Sequence, residues 1–162
     1  MGKKKNRSVN REQVYIGGTP ETVKKLTPGT IEILLRNQRI GREHVSAAQE
    51  IETVYKAVTG GLYTGNVMKE RVDGKGKMGS LTEFVAMLYR DHYTPWANDL
   101  DARRAAGGPP IRSIVIDVVV NGKSAKDLDK DWRWRKGRSC NYLIEGLELY
   151  AIEAGWLRKK GY

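Results

Sequence analysis

The chain has 162 residues, of which 40% are hydrophobic, and carries a formal net charge of +10. That length supports one substantial core, and no run approaches the roughly 18 apolar residues that a membrane-spanning helix needs. A single cysteine, Cys140, excludes an intramolecular disulfide, and the opening MGKKKNRSVN lacks the apolar stretch of a secretory signal, so a reducing cytoplasm is the expected setting.

The position of the charge says more than its size. Residues 1–11 hold five basic side chains, among them Lys3, Lys4, Lys5 and Arg7, and no acid. Residues 121–138 hold seven basic against three acidic, and Arg158, Lys159 and Lys160 close the chain. The remainder is slightly acidic, so the excess sits in three segments, as expected of a nucleic-acid binder.

Residues 1–20 are polar, basic and aperiodic, and read as a flexible arm that contacts phosphates through Lys3, Lys4, Lys5 and Arg7. A helical region follows over residues 28–104. Thr30 is expected to cap a helix running through Ile31, Leu34 and Leu35 to about Ile40, stopped by Gly41. Val45, Ala48, Ile51, Tyr55, Val58 and Leu62 recur at three and four residues, predicting a longer amphipathic helix that Gly60-Gly61 ends. Residues 63–80, YTGNVMKERVDGKGKMGS, read as a loop, with a short hairpin at Asp73-Gly74 as the alternative. Ser80 is then expected to cap a helix with Leu81, Phe84, Val85, Leu88 and Tyr89 on one face. Pro95 kinks or restarts that helix before Trp96 and Leu100.

AAGGPP at 105–110 is the strongest linker candidate. Beyond it, Ile111, Ile114, Val115 and Val118 fall on one helical face, and Asn121-Gly122 ends the run. The β-branched stretch IVIDVVV at 114–120 would also suit a strand. No other segment offers a strong partner strand, however, and helix is the reading adopted. Ser124 restarts a helix in the S-x-x-D form of the capping box, with Leu128 and Trp132 as its buried edge. A turn near residues 133–135 leads to a last helix from about Lys136, whose inner face is Cys140, Leu143, Ile144, Leu147, Tyr150, Ala151 and Ala154. Trp96 and Trp156 read as packing residues, and Trp132 and Trp134, set among arginines in WRWRKGR, as core residues or as a stacking surface for unpaired bases.

The order of an apolar helix, Asn121-Gly122, a capped K-S-A-K-D-L helix, an aromatic-flanked turn and a basic helix resembles the promoter-reading helix-turn-helix of bacterial sigma factors. It is similar as well to small regulators of that type carried by phages, prophages and gene transfer agents in alphaproteobacteria. The resemblance spans residues 108–156. It implies that Ser124 caps the first motif helix, Leu128 anchors it, Trp132 is the apolar residue before the turn, and the helix from Lys136 reads DNA. Two positions depart from the pattern: Asp129 stands where a small residue is usual, and Arg133 where glycine is usual. A carboxylate at a tight helix contact is costly unless it points outward.

In such a site Arg135 and Arg138 can donate bidentately to guanine and Asn141 can pair with adenine, all three expected in the first turns of the last helix. Lys136, Lys123, Lys126 and Arg133 suit phosphate contacts, with Ser124 at the helix start between them. Catalysis finds little support: His44 and His92 lack metal-ligand spacing, and no Walker A, G-x-S-x-G or H-E-x-x-H motif occurs. The carboxylates Glu50, Glu52, Asp99 and Asp101 show no nuclease-like grouping.

The expectation is therefore a mainly α protein with a helical N-terminal region and a C-terminal helix-turn-helix over 111–157. It would be a DNA-binding regulator rather than an enzyme, with no cofactor or metal. Double-stranded DNA is the expected partner, with RNA polymerase and further copies of the chain as additional ones and no membrane. The rivals are a DNA-packaging recognition subunit of the small-terminase type and a nucleic-acid-binding adaptor that does not read sequence.

Overall fold

A computed structural model describes residues 29–60 and 78–159. The arm with Lys3, Lys4, Lys5 and Arg7, the glycine-rich loop with its alternative hairpin at Asp73-Gly74, the side chains of Leu62 and Leu81, and the terminal Lys160 lie outside the described residues.

The protein is mainly helical, and no strand occurs among the described residues. Helix α1 spans Thr30–Arg36 and α2 spans Arg42–Thr59. Helix α3, Met78–Leu88, passes through a π-helical turn at Tyr89–Tyr93 into α4, Thr94–Ala105. Helices α5 (Ile111–Val119), α6 (Ala125–Asp131) and α7 (Arg138–Glu153) follow.

Helix ends explain where the expected boundaries shift. Gly29, not Thr30, is the N-cap of α1, and the helix stops at Arg36 rather than near Ile40. The chain turns there because Gln38 takes φ 56°, letting the Gln38 and Arg39 amides donate to the carbonyls of Leu35 and Leu34 at 3.0 and 2.9 Å. This Schellman closure satisfies the last carbonyls, and it leaves Leu35 exposed while Ile40 is buried. Ser80 does not cap α3, which begins at Met78. Phe84, expected on the buried face, is 50% exposed, whereas Val85 and Leu88 are buried.

The restart at Pro95 takes a specific form. Proline has no amide hydrogen and its ring crowds the carbonyl four residues back. The π turn absorbs this: the Thr94 amide reaches back to the Tyr89 carbonyl, and Pro95 falls in the first turn of α4.

Residues 105–110 form a tight turn. Gly107 has φ 88° and the Gly108 amide donates to the Arg103 carbonyl at 2.9 Å. The β-branched stretch beyond is helical, and Ile111, Ile114, Val115, Ile116 and Val118 are all buried. Tertiary burial outweighs β propensity here, because helix α5 lies between α2, α4 and α7 and loses its apolar surface to all three.

One hydrophobic cluster runs through both sides of that turn, joining Ile51 and Val54 of α2 and Trp96 and Leu100 of α4 to Ile114 and Val115 of α5 and Leu143, Leu147 and Tyr150 of α7. The face of α2 is rotated from expectation: Ala47, Val54 and Ala57 are buried beside Ala48 and Ile51, while Val45, Tyr55 and Val58 sit at the edge. Small residues set the closest contacts. A Cβ on Gly146 would meet Val115 Cγ2 at 2.5 Å and Ile111 Cγ2 at 2.8 Å, so only glycine lets α7 lie this close to α5. The buried Trp96 indole donates to the Gly146 carbonyl at 2.9 Å, tying α4 to the same point.

Candidate nucleic-acid interface

The basic segment is built from the end of α5 to the first turn of α7. Helix α5 ends at Val119, the chain turns through Gly122 at φ 69°, and Ser124 caps α6 as expected: its Oγ accepts from the Asp127 amide at 3.1 Å and donates to Asp127 Oδ2 at 2.7 Å. Leu128 is buried, anchoring α6 against α7. Trp132 is not the buried edge it was expected to be. At 40% exposed it is the C-cap residue of α6, where the helix has already turned away from the core.

Both departures from the helix-turn-helix pattern have a structural account. Arg133 adopts φ 53°. It occupies the left-handed position of a Schellman closure in which the Arg133 and Trp134 amides donate to the carbonyls of Lys130 and Asp129 at 3.0 and 2.7 Å. Asp129 points inward and is 6% exposed. Its Oδ2 accepts from the Gly137 amide at 2.6 Å and its Oδ1 from the Ser139 amide at 2.8 Å. The carboxylate therefore caps the start of α7, satisfying amides that the helix itself cannot. Burial alone would raise the Asp129 pKa, but the amide hydrogen bonds from Ser139 and Gly137 outweigh it and hold the group below the usual carboxylate value.

Gly137, φ 89°, is the N-cap of α7, so the helix starts at Arg138 rather than near Lys136. Arg135 and Lys136 consequently lie in the turn before the helix, and only Arg138 and Asn141 lie in its first turns. Lys126, Arg133, Arg135 and Lys136 are exposed, and none has a side-chain partner among the described residues. Lys123 faces Asp117, with Nζ 3.3 Å from Oδ2.

Arg138 belongs to an aromatic assembly. Trp132 and Trp134 stack with centroids 5.3 Å apart and planes 18° from parallel, and Tyr142 meets Trp134 edge-on at 5.3 Å. The Arg138 guanidinium lies 5.6 Å from the Trp134 ring centre and 5.7 Å from that of Tyr142. Its Nε donates to the Tyr142 hydroxyl at 3.0 Å. Cation–π attraction thus holds the arginine against the protein, and its remaining donors meet no acceptor among the described residues. Arg104, Trp132, Trp134, Arg138 and Tyr142 border a shallow groove of about 350 Å³.

Two contributors come from far along the chain. Arg39, in the turn between α1 and α2, donates through Nη2 to Asn141 Oδ1 at 3.1 Å and through Nη1 to Cys140 Sγ at 3.3 Å. Cys140 is buried, as expected for a small core residue, and burial raises its thiol pKa, with Arg39 pulling against it. Glu50 Oε2 accepts from the Tyr150 hydroxyl at 3.1 Å and lies 3.1 Å from His92 Nδ1, pinning the far end of α7 to α2 and the π turn. Trp156 packs against His92 and Tyr150 but stays 37% exposed. His44 is a local cap, its Nδ1 accepting from the Gly41 amide at 3.2 Å. No grouping of His, Cys, Asp and Glu suited to a metal ion occurs among the described residues. None of the described helices is long and apolar enough to cross a membrane.

Comparison with protein-family models, curated proteins and solved structures finds no match.

Proposed function

We propose that this chain is a sequence-specific DNA-binding protein that presents the start of α7 to the major groove, working in the cytoplasm as a transcriptional regulator of phage or mobile-element genes in contact with RNA polymerase. The observation that supports this most is the capped start of α7. A buried carboxylate holds the helix terminus, and around it Lys126, Arg133, Arg135 and Lys136 project with no side-chain partner among the described residues. Such a rim neutralises phosphates, while Arg138 and Asn141 are near enough to the helix start to meet base edges.

Selection from random duplexes followed by footprinting, with light scattering on the same samples, tests the reading. A footprint at a promoter with a small oligomer supports it. Absence of duplex preference overturns it, and a large ring bound at a packaging site gives the terminase-type role instead.

A second reading draws on the exposed Trp132. Its stacked indole beside Arg138 suits an unpaired base, with arginines for the phosphate. Tryptophan quenching that is stronger with single strands than with duplex would favour it.

A further inference from the structure

Of the cations gathered at the start of α7, Arg138 differs from its neighbours in having a fixed place. Lys126, Arg133, Arg135 and Lys136 have no side-chain partner among the described residues. The Arg138 guanidinium, by contrast, lies 5.6 Å from the Trp134 ring centre and 5.7 Å from that of Tyr142, and its Nε donates to the Tyr142 hydroxyl at 3.0 Å. The two rings are themselves held. Both are half-buried and pack on the hydrophobic core, they meet edge-on at 5.3 Å, and the Trp134 amide donates to the Asp129 carbonyl at 2.7 Å.

Nε carries one hydrogen, and Tyr142 uses it. The donors left over are the pairs on Nη1 and Nη2, and this end of the guanidinium offers two parallel N–H groups to a partner with two adjacent acceptors. A phosphate has such acceptors, and so does the major-groove edge of guanine. A long arginine side chain normally gives up rotamer freedom when it makes that contact. Here Tyr142 and Trp134 have removed part of that freedom beforehand.

We infer that Tyr142 is a positioning residue: its hydroxyl and ring fix Arg138 so that the Nη end meets DNA already ordered. This rests on the duplex-binding reading above, and it adds a residue that acts on DNA through another side chain.

The test is a mutant cycle in the full chain. Tyr142→Phe keeps the ring and removes the hydroxyl, and Arg138→Ala and the double variant complete the cycle. On the duplex selected with wild type, Tyr142→Phe should bind about two- to tenfold more weakly, the ordering cost of one long side chain. In the Arg138→Ala background, at salt low enough for binding to be measured, the same change should have no effect. A loss confined to the selected duplex assigns the Nη end to a base, and an equal loss on a scrambled duplex assigns it to phosphate; either supports the inference. Melting of Tyr142→Phe should match the parent, because the exposed Arg138 is the hydroxyl's partner. Without any DNA, the Arg138 Nε–H should exchange with water more slowly than that of Arg135 in the wild type, and as fast in Tyr142→Phe. Equal exchange in the wild type overturns the inference whatever the protein binds. A Tyr142→Phe protein that keeps full affinity, or whose loss persists undiminished in Arg138→Ala, overturns it while leaving duplex binding intact. A wild type that ignores duplex DNA overturns the duplex reading and this inference with it.

Discussion

Asp129 shows how one buried charge is made tolerable. Its two oxygens take two amides at the start of α7, and removing them strands a buried donor on Ser139 and a half-buried one on Gly137. Asp129→Ala is expected to cost about 1–3 kcal/mol, and Asp129→Asn, with one acceptor oxygen, less; urea unfolding at pH 7 measures both. The pH dependence has a definite sign. The folded group is held below its reference value of 3.8, so the unfolded chain binds the extra proton. The stabilisation is present above that value and lost as the pH falls through the folded pKa. The gap between wild type and Asp129→Asn should therefore narrow below about pH 4. Arg133 makes the opposite case, a residue in a conformation it does not favour. At φ 53° its Cβ is strained, which glycine would relieve at the expense of a more flexible unfolded chain. Arg133→Gly should leave stability unchanged or raise it by up to about 1 kcal/mol, and Arg133→Val should lower it by about 1–3 kcal/mol. Thermal melting compares them. A marked loss in the glycine variant would mean that the arginine side chain, not the turn, holds this segment.

At the scale of elements, the contact of α7 with α5 decides how closely the last helix sits on the core. Alanine normally improves a helix over glycine by about 1 kcal/mol. At position 146 the new methyl would fall 2.5 and 2.8 Å from γ-carbons of Val115 and Ile111, both β-branched and stiff at χ1. Gly146→Ala should therefore destabilise by about 1–3 kcal/mol, overpacking exceeding propensity, as read from the denaturant midpoint. A more stable variant would show that α7 can slide outward without loss. Much at this scale could be read from the chain: the apolar faces of α5 and α7, the Ser124 cap, Leu128 as an anchor and the Pro95 interruption are local signals of period and capping. The start of α7 could not. Lys136 is as good a helix former as Arg138, and the start was moved by Gly137 at φ 89° and by an aspartate eight residues away that caps it.

For the whole molecule, the tight turn at 105–110 and the single core predict cooperative behaviour. The described helices on both sides share Trp96, Ile51 and Val54 with Leu147 and Tyr150, and Glu50 bonds the Tyr150 hydroxyl. The full chain should unfold in one transition. A fragment of residues 105–159 should lose the near-ultraviolet dichroism of its tryptophans, because its buried faces would lie open; a folded fragment would show that the C-terminal helices are self-sufficient. Helix content, the β-branched segment read as helix for want of a partner strand and the clustering of charge were determined by the sequence alone, since periodicity, caps and composition act within a few residues. The inward turn of Asp129, the exposure of Trp132 and Phe84, the rotated face of α2 and the meeting of Arg39 with Asn141 were decided only by tertiary structure. Each depends on what other helices cover, or on partners up to about a hundred residues away, and no local pattern encodes such a contact.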